Sequence, residues 1–259
     1  MTLNLMDIWI LIAGGLLAGI VDTIIGGGGL FSLPTLLLVG LPPQAALGTN
    51  QFALSFGSLV GTYKFSQKRY IKWWPETFIC LIGALPGTIL GCITAIAIPP
   101  AILQTVVVCL LVIIGVVVLL KRNFGDEQSQ DCSSITLTKI VLTFFLGVFI
   151  GFYEGFFGPG TGILITFSFV LWLGFSFLQA SGTAKAVSLL GNVTAFITYA
   201  LFGNVHWISG LILAASVTVG AYFGVFFAQR GGSKVIRPVM LGVIILLIVN
   251  VLKPLFIHS

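Results

Sequence analysis

Apolar stretches follow one another along the whole chain, at roughly residues 8–25, 28–41, 44–65, 75–96, 102–120, 140–157, 161–175, 178–202, 207–229 and 238–257. The polar breaks between them are few, namely Lys64 to Lys72, Lys121 to Lys139 and Arg230 to Arg237. About 20 apolar residues suffice for a helix to cross a hydrocarbon core of about 30 Å. Backbone in lipid must satisfy its own hydrogen bonds, so spans of this kind are expected to be helical. A porin-type barrel would instead alternate apolar and polar residues in strands of about ten. The pattern therefore predicts an all-α, polytopic membrane protein.

A second regularity lies over the first. Gly19-x-x-Asp22-x-x-x-Gly26-x-Gly28 matches Gly151-x-x-Glu154-x-x-x-Gly158-x-Gly160 at an offset of 132. Gly48-Thr49 matches Gly182-Thr183 at 134, as do Gly57 with Gly191 and Ile71-Lys72-Trp73 with Val205-His206-Trp207. Two homologous halves are expected, 1–120 and 140–259, joined by a polar linker at 121–139. Internal repeats of this sort are common in membrane transporters.

Basic residues favour cytoplasmic loops. Lys64, Lys68, Arg69 and Lys72 mark one loop of the first half, whereas its counterpart, Gly203 to His206, has no fixed charge. The next pair reverses this: Ile96 to Pro100 is uncharged, and its counterpart carries Arg230, Lys234 and Arg237. Equivalent loops thus prefer opposite sides, and the repeats are expected to be inverted. Inversion needs an odd number of crossings per half. Five elements per half satisfy this, or three spans plus a re-entrant hairpin, and both are favoured over four plus four. Eight to ten helices result, some short or broken at glycine runs. The loops Lys64–Lys72, Lys121–Lys139 and Arg230–Arg237 would be cytoplasmic, with both termini outside.

Composition narrows the class. Of 259 residues, 12 are Lys or Arg and 7 are Asp or Glu, a charged fraction of 7%, against about 25% in soluble domains. With 58% hydrophobic residues and a mean hydropathy of +1.14, a soluble domain, a disordered chain and a coiled coil are excluded. The net charge of +5 comes from loop clusters and forms no basic face for nucleic acid. Cys80, Cys92, Cys109 and Cys132 form no Cys-x-x-Cys pair and have no His at ligand spacing, so neither a disulfide framework nor a metal or cofactor site is expected. The N-terminus lacks a basic n-region and a cleavage motif, and the first apolar run is expected to stay in the mature protein. His206 and His258, both near loops or ends, offer no catalytic set, and no enzyme is expected.

Charge at membrane depth costs about 2.5–3.5 kcal/mol at a helix centre and usually faces protein or a water-filled cavity. Asp22, Glu154 and Lys185 are the candidates. Asp22 and Glu154 hold equivalent places before the breaks Gly26-Gly27-Gly28-Gly29 and Gly158-Pro159-Gly160-Thr161-Gly162. They could accept and release protons during transport, or cap backbone freed by the breaks, or do both. Glycine permits positive φ and close approach, and proline removes a donor. A helix restarting after such a break offers N–H groups and its positive dipole end to an anion. Gly27, Gly28, Gly29, Gly160, Thr161 and Gly162 could form such a cradle. The alternative is tight helix packing, the role expected of Gly83-x-x-x-Gly87-x-x-x-Gly91 and Gly147-x-x-x-Gly151-x-x-x-Gly155. Neither break has the Gly-Lys-Ser/Thr ending of a nucleotide phosphate loop.

Polar residues recur after each break. Thr49, Asn50, Gln51 and Thr183 can bond ligand oxygens, and Lys185 can offset ligand charge. Their alternative is a polar helix start, with Lys185 snorkelling to water. Ser55, Ser58, Ser188 and Asn192 could extend this surface. Trp73, Trp74 and Trp207 read as interface anchors, and His206 as a loop residue.

These residues resemble the sulfite exporter TauE/SafE family and look most like its YfcA-type branch. The resemblance rests on Ala18-Gly19-Ile20-Val21-Asp22 running into Gly26 to Gly29 and Leu33-Pro34, and on Ala46-Leu47-Gly48-Thr49-Asn50. In the second half it rests on Gly151 to Gly160 and Thr183-Ala184-Lys185. It implies a bacterial inner-membrane transporter of small anions, typically sulfite or organosulfonates such as sulfoacetate. Two positions depart from the family pattern: Glu154 replaces Asp and Gln51 replaces Lys. The expected function is secondary active anion transport by alternating access, with possible proton coupling through Asp22 and Glu154; the alternative is a passive anion channel. The expected partners are a small anion and the lipid bilayer, with no nucleic acid, in a monomer or homodimer.

Overall fold

The computed structural model describes residues 3–120 and 137–228. Most of the linker, the Arg230–Arg237 loop, the last apolar stretch, Cys132, His258 and the extreme termini lie outside the described residues. Within them the chain folds as helices α1 (Leu5–Ile25), α2 (Gly29–Leu38), α3 (Pro43–Gln67), α4 (Phe78–Ala97), α5 (Pro100–Leu120), α6 (Leu137–Phe156), α7 (Thr161–Leu173), α8 (Phe177–Leu201) and α9 (Trp207–Ala228). Each covers one predicted apolar stretch. Where the ends differ by a few residues, local chemistry sets them. Asn4 and Asp7 close a capping box that starts α1 ahead of the apolar run, Pro43 opens α3, and Ser176 with Gln179 caps α8; these are favoured helix starts. Hydropathy alone did not show that α4 is entered through a π-helical turn, Trp73–Thr77. Pro75 inside it has no N–H to give, and the Thr77 hydroxyl donates to the Lys72 carbonyl.

Among the described residues, five segments are long and apolar enough to cross a membrane: Leu5–Ile24, Pro75–Ala97, Leu137–Phe156, Gln179–Leu201 and Trp207–Gly224. Their outward faces carry large apolar side chains such as Leu90, Phe145, Phe149 and Tyr222, whereas Thr49, Asn50, Gln51, Glu154 and Lys185 are buried. An apolar exterior around a polar interior is the arrangement lipid imposes. α3 has 25 residues yet is not among the five apolar spans. Gln44, Asn50, Gln51, Ser55 and Ser58 lower its hydropathy and point inward.

Small residues set the packing. Gly83, Gly87 and Gly91 of α4 face the carbonyls of Phe144, Val148 and Phe152 on α6, and Gly147, Gly151 and Gly155 face those of Cys80, Ala84 and Thr88. Both series advance together, so α4 and α6 run side by side in the same direction. Gly15 and Gly19 likewise face Leu213 and Val217, while Gly220 and Gly224 face Leu16 and Ile20. α1 and α9 therefore pair in the same way. Glycine lets backbones approach closely enough to replace the missing hydrophobic drive between helices in lipid. α3 and α8 run in opposite directions: Gly48 lies against Tyr199 and Gly61 against Lys185, Phe52 against Phe196, and Asn192 donates to the Ser58 hydroxyl at 3.0 Å. Ser58 and Asn192 are separated by 134 residues, the offset at which Gly48-Thr49 matches Gly182-Thr183.

Candidate functional site

Both predicted breaks interrupt the helices. α1 ends when Gly26 turns into the left-handed region at φ 74°, its N–H bonding the Asp22 carbonyl at 2.8 Å. Asp22 Oδ1 then accepts the Gly28 N–H at 3.3 Å, and the N–H groups of Leu30 and Phe31 close on the carbonyls of Gly27 and Gly28. Asp22 thus bonds backbone freed by its break. In the second half Gly158 and Gly160 adopt φ of 88° and 83°. The Thr161 hydroxyl donates to the Gly158 carbonyl at 2.6 Å, and the Tyr153 hydroxyl donates to the Pro159 carbonyl at 2.7 Å.

The two breaks meet. A Cβ on Gly26 would lie 2.5 Å from the Gly162 Cα, and one on Gly29 would lie 2.7 Å from the Pro159 Cα. No real Cβ tolerates such distances, so the glycines permit this approach. Gly27, Gly28, Gly29, Gly160, Thr161 and Gly162 are all buried around it.

Two links hold the breaks to the crossed pair α3 and α8. Lys185 Nζ on α8 donates to Asp22 Oδ2 on α1 at 2.7 Å, with the two residues 3% and 6% exposed. The Lys185 stem lies against Gly61, where a side chain would crowd it. Gln51 Nε2 on α3 donates to the Glu154 carbonyl on α6 at 2.7 Å and lies against Gly158. Gln51 and Lys185 lie at the 134-residue offset of the sequence matches, and Asp22 and Glu154 at the 132-residue offset. The Glu154 carboxylate packs against Gly191, and among the described residues no hydrogen bond or ion pair reaches it. Gln51 Oε1 is buried without a partner among them as well.

The remaining predicted residues divide between this centre and the helix ends. Asn50 accepts the Ser32 hydroxyl on α2, while its Nδ2 is buried without a partner. Thr49 Oγ1 accepts the backbone N–H of His206 at 2.9 Å and so ties α3 to the start of α9. His206 Nδ1 in turn accepts the Ser209 N–H at 3.3 Å, which caps that helix. Thr183 is fully buried, and its hydroxyl has no partner among the described residues. The Ser55 hydroxyl donates to the Gln51 carbonyl, and Ser188 is buried. Trp73 and Trp207 are about half exposed, as interface anchors require. Sequence reasoning missed the Lys185–Asp22 pairing. The offsets carried the signal, because a cross-link at one pair of equivalent positions implies its mirror. Among the described residues no group of three or more His, Cys, Asp and Glu could hold a metal.

Broken helices that meet inside an apolar-faced bundle, bridged by a buried ion pair, belong to a multi-pass membrane transporter. The comparisons agree and specify which kind. The chain belongs to the sulfite exporter TauE/SafE family, whose profile matches residues 11–251. It is 34% identical over 242 residues to a "Probable membrane transporter protein" of Sinorhizobium sp., covering 93% of this chain and 91% of that one. It is 35% identical to a similarly named protein of Haemophilus influenzae, with 89% of each chain covered. It is 29% identical to the "Probable membrane transporter protein YfcA" of Escherichia coli, covering 87% of this chain and 82% of that one. No solved structure matches.

Proposed function

We propose that this protein is a secondary active transporter of small sulfur-containing anions, which moves them by alternating access between two inverted halves in a bacterial inner membrane. The observation that carries the reading is the buried Lys185–Asp22 pair, placed where the two glycine breaks touch and linking α8 to α1. A compact ammonium there can hold an oxyanion, and the helix starts after the breaks present their positive dipole ends to the same region. The antiparallel course of α3 and α8, with Ser58 meeting its equivalent Asn192, supports inversion. The parallel pairs α4 with α6 and α1 with α9 fit the same orientation, in which the Lys64–Lys72 loop is cytoplasmic. The family description, a sulfite exporter, supports sulfite as cargo.

The test is uptake into proteoliposomes, together with thermal stabilisation of the purified protein, across sulfite, sulfate, thiosulfate, sulfoacetate and simple carboxylates. Saturable uptake and stabilisation by one or more of the sulfur anions are expected. Stabilisation by carboxylates alone would overturn the sulfur assignment, and conductance that never saturates would overturn the carrier mechanism.

A further inference from the structure

Among the described residues the interior holds the carboxyl groups of Asp22 and Glu154 and the ammonium of Lys185, and that ammonium is already engaged by the Asp22 carboxylate at 2.7 Å. An anion cannot approach Lys185 while Asp22 stays both bound and charged: the ammonium would be shared, and two like charges would lie side by side in a low-dielectric site. We infer that the anion binds Lys185 in place of the Asp22 carboxylate, and that Asp22, on leaving, takes up one proton from the bulk solution that also supplies the anion. This rests on the transport reading above and deepens it. The exchanged unit is then one singly charged anion plus one proton, with no net charge added to the interior.

The geometry supports the exchange in three ways. Asp22 already divides its oxygens, Oδ2 on Lys185 and Oδ1 on the Gly28 N–H, so it keeps an anchor when Oδ2 is displaced. The carboxylate it would surrender is itself a small oxyanion, held by a group that a sulfonate or sulfite oxygen could use equally well. The mirror link offers no such exchange, because Gln51 is neutral and bonds the Glu154 backbone carbonyl; position 51 of the first half therefore adds no cation for a second negative charge. The groups that face Asp22 are Lys185 from α8 and the Gly28 N–H at the start of α2, while the buried Glu154 carboxyl on α6 packs against Gly191. On α9, packed along α1, Tyr222 is exposed and stacks with Lys64 of α3; α2 and α7 carry no ionisable side chain.

The test measures protons taken up when the purified full-length protein binds methanesulfonate, with sulfate as the doubly charged comparison; neither anion titrates near neutral pH. Calorimetry in buffers of different ionisation enthalpy should give about one proton per methanesulfonate. The apparent Kd should tighten about tenfold per unit fall in pH while free Asp22 is ionised, and sulfate should bind more weakly. Asp22→Asn should bind methanesulfonate without proton uptake and without pH dependence, whereas Glu154→Gln should keep both. Binding by the unaltered protein without proton uptake, or uptake that persists in Asp22→Asn, overturns the exchange and leaves anion transport standing. Should methanesulfonate not bind, the same proton count is made on any anion of the transport panel that does, corrected for that anion's own titration. Failure of every anion to bind overturns both readings.

Discussion

The link from Lys185 to Asp22 and the link from Gln51 to Glu154 join positions related by the sequence offsets of 134 and 132, and both fasten a broken helix to the crossed pair α3 and α8. They differ in what is joined. The first closes a buried ammonium on a side-chain carboxylate, and the second closes an amide on a backbone carbonyl, leaving the Glu154 carboxylate to one side against Gly191. Holding a break in position therefore does not require charge, since Gln51 does it without any. The charge at Lys185 is therefore free for the anion-binding role proposed above.

Removing one partner of the charged link has the largest expected effect. Lys185→Met leaves Asp22 buried and unpaired, and a loss of about 3–5 kcal/mol is expected, read as a lowered midpoint of unfolding in detergent together with loss of flux. The double variant Asp22→Asn with Lys185→Gln makes the first link neutral like the second. It should recover most of that stability while anion uptake stays absent, and recovery of uptake would break the comparison. Next comes the contact on which both links depend. Gly26→Ala places a side chain at positive φ and 2.5 Å from Gly162, and should cost about 2 kcal/mol or more. Gly203→Ala has φ 73° but open space around it, and should cost only about 1 kcal/mol; equal losses would show that the breaks do not need their contact. Gln51→Leu should cost about 1 kcal/mol through the orphaned Glu154 carbonyl, with transport retained. Loss of transport as complete as in Lys185→Met would mean that the second link is more than a fastening. The smallest effect is expected from Asn192→Ala, about 0.6 kcal/mol for one hydrogen bond between membrane helices.

Much of this arrangement was legible in the residues. The apolar runs placed every described helix, because lipid forces long continuous runs into helices. The glycine runs placed both breaks, and the Gly-x-x-x-Gly series of α4 and α6 found each other, as small-residue stripes do. The three interior charges were legible through their cost. The pairing among them was not: Lys185 on α8 and Asp22 on α1 are 163 residues apart, and the tertiary packing of the bundle brings them together. Thr49 shows the other limit. Its hydroxyl accepts the His206 N–H, a tie that the sequence did not show, because an unpaired N–H at the start of α9 competes for any nearby oxygen.

The hydrogen bond between Ser58 and Asn192 has a consequence for how such a chain can arise. In two separate identical chains, the residue at this crossing would meet its own copy, and the chains could make the contact only by inserting in opposite directions. Covalent linkage of two such halves removes that demand on insertion. It also releases each side of the contact to change alone, so that an amide can face a hydroxyl. The same freedom lets position 51 lose its charge while position 185 keeps it, and so lets a symmetric scaffold carry a single, one-sided cation.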